Sequence, residues 1–372
     1  MAGIFLMGAT LLGTGLTAQA NTYVYVSNAD DGAITSYILD RAAGTLEPLE
    51  TTTAGEGVMP MAVSPDRHYL YASVRSEPFR VLTYRIDRET GALSQQGSGS
   101  LPASMPYIES DQSGAYLFSA SYSDNLVSVS PIDENGVVGD AQQTVETGRN
   151  AHAIHASPDN RYAFASNLGD DRLAQFRFDA ETGRLESNDP DAAGTPDDTG
   201  PRHFVFSPNG RYVYLLGEFS GAVTTYAFDA SNGTLTQVSD EPGIVESLNL
   251  DQGMAREAIP EGDDTPRIWA ADIQVTPDGR YVYTSERTSS VISTFEANPD
   301  TGELTYLNYL EVESQPRGFQ IDETGRYMVV TGQRDDRVGL YRIDPENGEL
   351  TRIDDAPAGK NANWVEIVSF EG

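Results

Sequence analysis

The chain of 372 residues contains no cysteine and a single lysine, Lys360. Without cysteine the protein can form neither disulfide bonds nor thiolate metal sites. Basic side chains are scarce as well, because 24 of them stand against 56 acidic ones and the formal net charge is −32. A surface with this charge is well hydrated, suits a saline environment and repels nucleic acid and anionic membranes. We therefore expect a small molecule, and no nucleic acid, as the partner.

Long apolar runs are missing after the first 20 residues, so no later segment is predicted to span a bilayer. Residues 4–16 are apolar, and Ala18-Gln19-Ala20 after them fits the cleavage site of a secretory signal. We interpret residues 1–20 as a signal peptide and residues 21–372 as the mature domain of a periplasmic or secreted protein, with no membrane attachment after cleavage. No basic residue precedes the apolar run. An upstream start, an uncleaved anchor, or an unprocessed extension on a cytoplasmic protein therefore stays open.

The chain also lacks any long segment with a helical apolar period, and shows instead a recurring hairpin pattern that is clearest at residues 200–218. Residues 204–207 are an apolar strand, Ser207-Pro208-Asn209-Gly210 is a turn sequence, and residues 212–216 are rich in β-formers. The first strands of the copies are predicted at 59–64, 105–110, 151–156, 204–207, 271–275, 317–321 and 364–368.

A second hairpin signal lies between the copies, at Thr90-Gly91, Thr182-Gly183, Asn232-Gly233, Thr301-Gly302 and Asn347-Gly348. Four strands in about 46 residues match the size of a propeller blade. We predict an all-β fold, a seven-bladed β-propeller with four-stranded blades. The N-terminal strand at 22–28 and the C-terminal strand at 364–368 lack neighbouring partners, so we expect them to share one blade and close the ring.

Two connections are long, at residues 187–200 and 243–267, and both are expected to extend a rim of the ring. The second connection is rich in acidic residues. A plain loop is the default interpretation, and a lid or a disordered acidic loop stays open.

The two ends of the repeated hairpin differ, because the turn end repeats a Ser/Thr-Pro-Asp sequence whereas the other end varies, as binding positions do. Before the first strands stand His152, Arg202, Asp272, Arg317 and Asn363. After the return strands stand Asn28, Arg75, Tyr122, Asn167, Glu218, Arg287 and Gln333. We predict that these residues converge on one mouth of the channel, where the arginines bind an anionic small molecule. In the alternative, the arginines pair with acidic neighbours and hold the blades together.

His152 is predicted at this mouth, as a general base, a hydrogen-bond donor to substrate or a structural residue. His155, deeper on the same strand face, has no comparable charged setting, and His203 is expected to face the other side of its strand as a structural residue. No tight zinc site is expected, although a hard cation beside His152 stays open. The chain has no nucleophile elbow, phosphate loop or dinucleotide motif, so we predict no covalent serine mechanism and no cofactor.

Several short motifs, each weak alone, carry a family resemblance through their order and spacing. They are Met61-Ala62-Val63-Ser64-Pro65-Asp66 with Val74-Arg75, His152 before Ser157-Pro158-Asp159-Asn160, Gly200-Pro201-Arg202-His203, Trp269-Ala270-Ala271-Asp272-Ile273 with Thr276-Pro277-Asp278-Gly279-Arg280, Arg287-Thr288, and Gln315-Pro316-Arg317-Gly318-Phe319. The chain after Ala20 resembles the seven-bladed propeller lactonases, the family of bacterial 6-phosphogluconolactonase that includes fungal carboxy-muconate lactonising enzyme.

The resemblance implies a catalytic set of His152, Arg202, Glu218 and Arg287. Two departures leave the charge pattern intact: Gly217 replaces an Asn common before the glutamate, and Glu286 replaces an Asp common before the arginine. The signal segment is a larger departure, since the sugar-phosphate enzyme is cytoplasmic. It puts a phosphorylated substrate in doubt, but not a lactone.

We therefore expect a 6-phosphogluconolactonase-like lactonase that hydrolyses a sugar lactone with an anionic substituent, without metal or cofactor, as a monomer. The arginines hold the anion and stabilise charge on the carbonyl oxygen, and His152 or Glu218 activates a water. The residues expected to bind substrate are Arg75, Asp272, Arg317 and Gln333. Two alternatives stay open: a non-catalytic exported propeller that binds or scaffolds, and a lactone-forming cycloisomerase.

Overall fold

A computed structural model describes residues 21–370 of the chain, so the predicted signal peptide lies outside the described residues. Residues 21–370 contain 28 strands arranged in seven four-stranded sheets. The strands are β1 (Asn21–Asn28), β2 (Ala33–Asp40), β3 (Thr45–Thr53), β4 (Val58–Val63), β5 (Tyr69–Val74), β6 (Arg80–Ile86), β7 (Leu93–Ser100), β8 (Tyr107–Ser110), β9 (Tyr116–Ser121), β10 (Leu126–Pro131), β11 (Gln143–Glu146), β12 (Ala151–Ala156), β13 (Tyr162–Asn167), β14 (Arg172–Asp179), β15 (Arg184–Gly194), β16 (Pro201–Phe206), β17 (Tyr212–Gly217), β18 (Ala222–Asp229), β19 (Thr234–Pro242), β20 (Ala270–Val275), β21 (Tyr281–Glu286), β22 (Val291–Ala297), β23 (Leu304–Glu311), β24 (Pro316–Ile321), β25 (Tyr327–Gly332), β26 (Arg337–Ile343), β27 (Leu350–Pro357) and β28 (Ala362–Phe370).

The helices of residues 21–370 are three single 3-10 turns, at Leu168–Asp170, Glu246–Leu248 and Arg256–Ala258. None of them has the length and hydropathy of a membrane-spanning helix.

The ring closes as predicted, because the two ends of the chain share one blade. Blade 1 has the strand order β28-β1-β2-β3, and Val24 pairs with Ile367 in its antiparallel register. Blades 2 to 7 follow in chain order from β4 to β27, four strands each. The innermost strands β28, β4, β8, β12, β16, β20 and β24 contact one another in a closed cycle. Closure leaves no exposed innermost edge and surrounds a central channel.

The predicted turns are held by a side-chain oxygen of the residue that opens each of them, which is a hydroxyl in four turns and the carboxylate of Asp111 or Asp322 in the other two. Ser207 Oγ accepts a hydrogen bond from the Tyr212 backbone N–H at 2.9 Å. Ser64 and Ser157 do the same for Tyr69 and Tyr162. This repeated bond fixes the register of the first two strands in a blade, so both strands deliver their far ends to the same mouth of the channel.

The many tyrosines join neighbouring blades. Tyr23, on β1, donates its hydroxyl to the Glu89 carbonyl in blade 2 at 2.6 Å, and its ring lies against Gly91. The same docking recurs around the ring, in the pairs Tyr69–Gly136, Tyr116–Gly183, Tyr162–Gly233, Tyr212–Gly302 and Tyr281–Gly348. Each of these glycines has a positive φ and sits in an outer hairpin turn. A side chain there would enter the tyrosine ring, so this contact requires glycine.

Candidate active site

The side chains at the mouth are positioned by irregularities in the innermost strands. In six of the seven blades the pairing between the innermost strand and its neighbour shifts by one residue near the mouth. In blade 5, Arg202 and His203 both lie between the pairs Pro201↔Gly217 and Phe204↔Leu215. Such a bulge places two successive side chains opposite one residue, which breaks the alternation of a regular strand.

One or both of two equivalent positions supply the site in each of blades 2 to 7. One is the first bulge residue, and the other is the first residue after the second strand. These positions contribute Met59, Arg75, Tyr122, His152, Arg202, Glu218, Arg287, Arg317 and Gln333 to a cavity of about 250 Å³, which Pro106, Arg256 and Trp269 complete. We call this cavity the mouth cavity. It contains all four predicted catalytic residues and three of the four predicted substrate-binding residues, Arg75, Arg317 and Gln333.

Asp272 is the predicted substrate-binding residue that does not line the mouth cavity. It is the second residue of its bulge, equivalent to His203 and one step deeper than Arg202. Asp272 lines a wider cavity of about 590 Å³ that extends to the turns at the other end of the channel. There its Oδ1 lies 2.8 Å from His203 Nδ1.

The surroundings of two histidines also differ from what the sequence predicts. His203 lines the wider cavity beside the channel, because the bulge turns it inward together with Arg202. His155 does have a charged setting, since its Nδ1 lies 2.6 Å from Glu109 Oε2 and its Nε2 is 2.8 Å from the hydroxyl of Tyr107. These contacts belong to the wider cavity.

The centre of the mouth cavity is a buried cluster around Glu218. Its Oε2 accepts from Arg202 Nε at 2.6 Å and lies 3.0 Å from Arg287 Nη2, and its Oε1 accepts from Trp269 Nε1 at 3.0 Å. Arg202 also donates to the Ala271 carbonyl. Arg287 donates to the carbonyl of Trp269 at 2.9 Å and packs on its indole, 3.8 Å from the ring centroid. Both guanidinium groups are therefore fixed before any ligand enters.

The protonation of this cluster follows from burial and from the two arginines. Burial alone would raise the pKa of Glu218, but Arg287 and Arg202 outweigh it and hold that pKa below its usual value. Burial lowers the pKa of Arg287 to about 9 against the attraction of Glu218. At neutral pH the carboxylate is ionised and the guanidinium groups are charged.

Two other arginines of the cavity carry charge without a carboxylate. In the described part of the chain no acidic oxygen lies within 4 Å of a nitrogen of Arg75 or Arg317. Arg75 Nε donates to Ser104 Oγ at 2.9 Å. Arg317 is 5% exposed and its Nη1 has no hydrogen-bond partner. Burial, with repulsion by neighbouring arginines, lowers the pKa of Arg317 well below its usual value. An uncompensated buried cation is costly, so an anion is expected to bind there.

His152 is the remaining titratable side chain at the centre. It is 5% exposed, and its Nδ1 has no hydrogen-bond partner. Burial lowers its pKa well below 6.5, and the nearby charge of Arg202 lowers it further. A neutral imidazole with a free nitrogen can accept a proton.

Sequence reasoning missed Arg256 and Trp269 as site residues. Arg256 comes from the long connection after β19, and its only signal was a basic residue inside an acidic insertion. Trp269 was part of a motif, and Glu286 Oε1 accepts from its backbone N–H at 2.8 Å and so holds the backbone that carries the indole. Glu286 is thus a positioning residue. Among residues 21–370, no group of three or more His, Asp or Glu side chains is arranged to hold a metal ion.

Comparisons with known proteins agree with the fold of seven blades. A family model described as "Lactonase, 7-bladed beta-propeller" matches residues 21–367. A 6-phosphogluconolactonase of Pectobacterium carotovorum subsp. carotovorum is 38% identical over 299 residues, 80% of this chain and 84% of the relative. One of Serratia proteamaculans is 37% identical over 346 residues, 93% of this chain and 98% of the relative. The solved structure of a periplasmic gluconolactonase of Pseudomonas aeruginosa is 25% identical with a TM-score of 0.81, and covers 94% of this chain and 99% of that chain. This chain therefore belongs to the family of seven-bladed β-propeller lactonases.

Proposed function

We propose that this protein hydrolyses a sugar lactone that carries an anionic substituent, with 6-phosphogluconolactone as the first candidate substrate. The observation that carries the proposal is the charge of the mouth cavity, where five arginines face one carboxylate. The whole chain has a net charge of −32, so this cation excess is a local feature that attracts anions against the overall field. The names of the bacterial relatives support the same substrate class.

The arginines fall into two groups that suit the two ends of such a substrate. Arg202 and Arg287, held by Glu218, face the reacting ester carbonyl and stabilise the negative charge that grows on its oxygen. Arg75 and Arg317, on blades 2 and 7, take the anionic substituent through their planar donor forks. We call these two groups the oxyanion pair and the anion pair.

His152 is the better candidate for the base that activates the water. The oxygens of Glu218 already accept from Arg202 and Trp269 and lie against Arg287, so these contacts occupy the positions from which the carboxylate would accept a proton. His152 is neutral and has a free ring nitrogen. In this mechanism His152 takes a proton from water while the hydroxide adds to the carbonyl carbon. The ring C–O bond then breaks, the leaving oxygen is protonated, and a hydroxy acid is released.

Export of the mature domain from the cytoplasm is a separate proposal, which favours an anionic sugar lactone other than the cytoplasmic sugar phosphate. It is supported by the signal pattern at residues 1–20 and by the periplasmic gluconolactonase among the structural neighbours. We propose that the mature domain begins at Asn21 and acts as a monomer. N-terminal sequencing of the protein from a periplasmic fraction, with light scattering on the same sample, tests both statements.

Acid release from a panel of lactones, followed by pH-stat, tests the activity. We expect faster turnover of 6-phosphogluconolactone than of unphosphorylated gluconolactone, and a loss on the order of 10²-fold or more in kcat for Arg287→Ala. Binding of 6-phosphogluconate without turnover of any lactone would favour a binding protein. Unchanged turnover in Ala variants of His152, Arg202, Glu218 and Arg287 would refute the site.

A further inference from the structure

The connection between blades 5 and 6 differs from all other connections between blades. It runs from residue 243 to residue 269, or 27 residues, whereas the other inter-blade connections have four to six. It is also the one that brings a charged side chain, Arg256, into the mouth cavity from outside the seven blades. The long connection therefore contributes to the site directly.

The connection is anchored next to Glu218 rather than hanging free. Gly253 donates its backbone N–H to the Phe219 carbonyl at 2.9 Å. Asp251 and Ile268 are joined through a backbone hydrogen bond of 2.9 Å, and the Ala270 N–H donates to the Glu218 carbonyl at 3.1 Å. These bonds fix both stems of the connection against the turn that carries Glu218.

Arg256 lies beside the oxyanion pair and has no counter-ion of its own. Its guanidinium carbon is 4.2 Å from the centroid of the Trp269 indole, which also contacts Arg287 and donates to Glu218. Among the residues that the structure describes, no carboxylate oxygen lies within 4 Å of the Arg256 guanidinium group. Arg256 is exposed, whereas Arg202 is 1% exposed and Arg287 is 4% exposed. Arg256 is thus a cation on the solvent side of the oxyanion pair, at the end of the mouth cavity where the ester carbonyl is expected.

We infer that Arg256 is a further substrate-binding residue, which contacts the reacting carbonyl and then the product carboxylate from the open side of the mouth cavity. The inference rests on the proposed lactone hydrolysis, because that reaction creates a carboxylate beside the oxyanion pair. Water supplies the new C–O bond, the ring ester bond breaks, and the hydroxy acid formed loses one proton to become an anion. A third guanidinium group there binds the anion when the two buried ones already share Glu218.

Equilibrium binding by calorimetry tests the inference with ligands that distinguish the oxyanion pair from the anion pair. The ligands are gluconate, which has the carboxylate alone, glucose 6-phosphate, which has the phosphate alone, and 6-phosphogluconate, which has both. We expect Arg256→Ala to lower the affinity for gluconate and for 6-phosphogluconate by about tenfold or more, since a charge-assisted hydrogen bond contributes that much. The affinity of Arg256→Ala for glucose 6-phosphate should lie within about twofold of the wild-type affinity. Arg317→Met should show the reverse pattern.

Two control variants distinguish direct contact of Arg256 with the ligand from packing of Arg256 against the Trp269 indole. Arg256→Met keeps an apolar stem against Trp269 and removes the charge, so it should behave like Arg256→Ala if Arg256 touches the ligand. Full recovery in Arg256→Met would reduce Arg256 to a support for the indole and overturn the inference. Arg184→Ala, an exposed change on β15, controls for net charge and should bind all three ligands as wild type does.

The outcomes also separate this inference from the proposed function. Wild-type lactone turnover together with unchanged 6-phosphogluconate affinity in Arg256→Ala overturns the inference and leaves the function standing. A wild-type protein that neither hydrolyses lactones nor binds 6-phosphogluconate overturns both.

Discussion

Arg202 and Glu218 meet inside blade 5, where Arg202 Nε lies 2.6 Å from Glu218 Oε2. The same oxygen lies 3.0 Å from Arg287 Nη2 in blade 6. One carboxylate oxygen therefore compensates two buried cations and joins two blades through them. The sequence leaves two interpretations of the arginines open, binding of an anion and pairing with acidic residues between blades. The arrangement around Glu218 is compatible with both.

Replacing Glu218 by Gln should consequently destabilise the whole ring. The variant leaves two buried guanidinium groups without a counter-charge, which costs about 3–5 kcal/mol when a buried pair is broken. Urea unfolding of wild type and variant measures the change. Glu186→Gln is the matched control, because that side chain is 73% exposed and its partner Arg177 is also at the surface. Equal stability of Glu218→Gln and Glu186→Gln would contradict the role of Glu218.

Arg317→Met should have the opposite effect on stability. The substitution removes a buried cation that has no carboxylate partner and replaces it by an apolar side chain, so we expect a gain of about 1 kcal/mol or more. It should also abolish the stabilisation that inorganic phosphate gives the wild type, which would be about 2.7 kcal/mol at 100 times Kd. Thermal unfolding with and without phosphate measures both. A destabilised variant that phosphate still stabilises would argue against an anion site at Arg317.

The pH profile of kcat/KM should report His152. The base works when neutral, and its pKa in the folded protein lies well below 6.5 because of burial and the neighbouring Arg202. Activity should therefore persist as pH falls through 6.5 and be lost only at clearly lower pH. Arg317 is another of the neighbouring cations that depress this pKa, so Arg317→Met should move the acid limb to higher pH. An acid limb near pH 6.5 in wild type, or one that Arg317→Met leaves in place, would count against His152 as the base.

The blade contacts made by tyrosine predict a sharp difference between two glycines. Gly233 has φ +72°, and a Cβ there would lie 2.0 Å from Tyr162 Cδ1. Gly233→Ala should destabilise the protein by about 1–3 kcal/mol through overpacking. Gly194→Ala is the control, since a Cβ at Gly194 meets nothing within 4 Å. Similar unfolding midpoints for the two variants would show that the Tyr162 contact does not join the blades.

The repeat made much of this molecule predictable from sequence. Each copy keeps a side-chain oxygen at the start of its turn, a hydroxyl as at Ser207 or a carboxylate as at Asp111, so the copies align and the variable end of each one is recognisable. Counting along that alignment places Arg202, Glu218 and Arg287 at one mouth without any knowledge of their contacts. The seven blades and their closure follow from the same alignment, because an unpaired strand stands at each end.

The repeat could not predict features of one blade that have no equivalent in the other blades, nor distances between blades. The bulges add one residue to the innermost strands, and this shift sends Asp272 and His203 to the wider cavity although they neighbour the mouth positions in sequence. Arg256 has no equivalent in another copy, and its position depends on how the connection folds back. The sharing of Glu218 by two arginines depends on distances between blades, which a pattern of residue types does not encode.

The most direct test of the central claim is a crystal structure of the protein with 6-phosphogluconate bound. We expect the phosphate to lie against Arg75 and Arg317, and the carboxylate to lie against Arg202 and Arg287 within reach of His152. A ligand bound in the wider cavity beside Asp272, or a carboxylate directed away from His152, would contradict it.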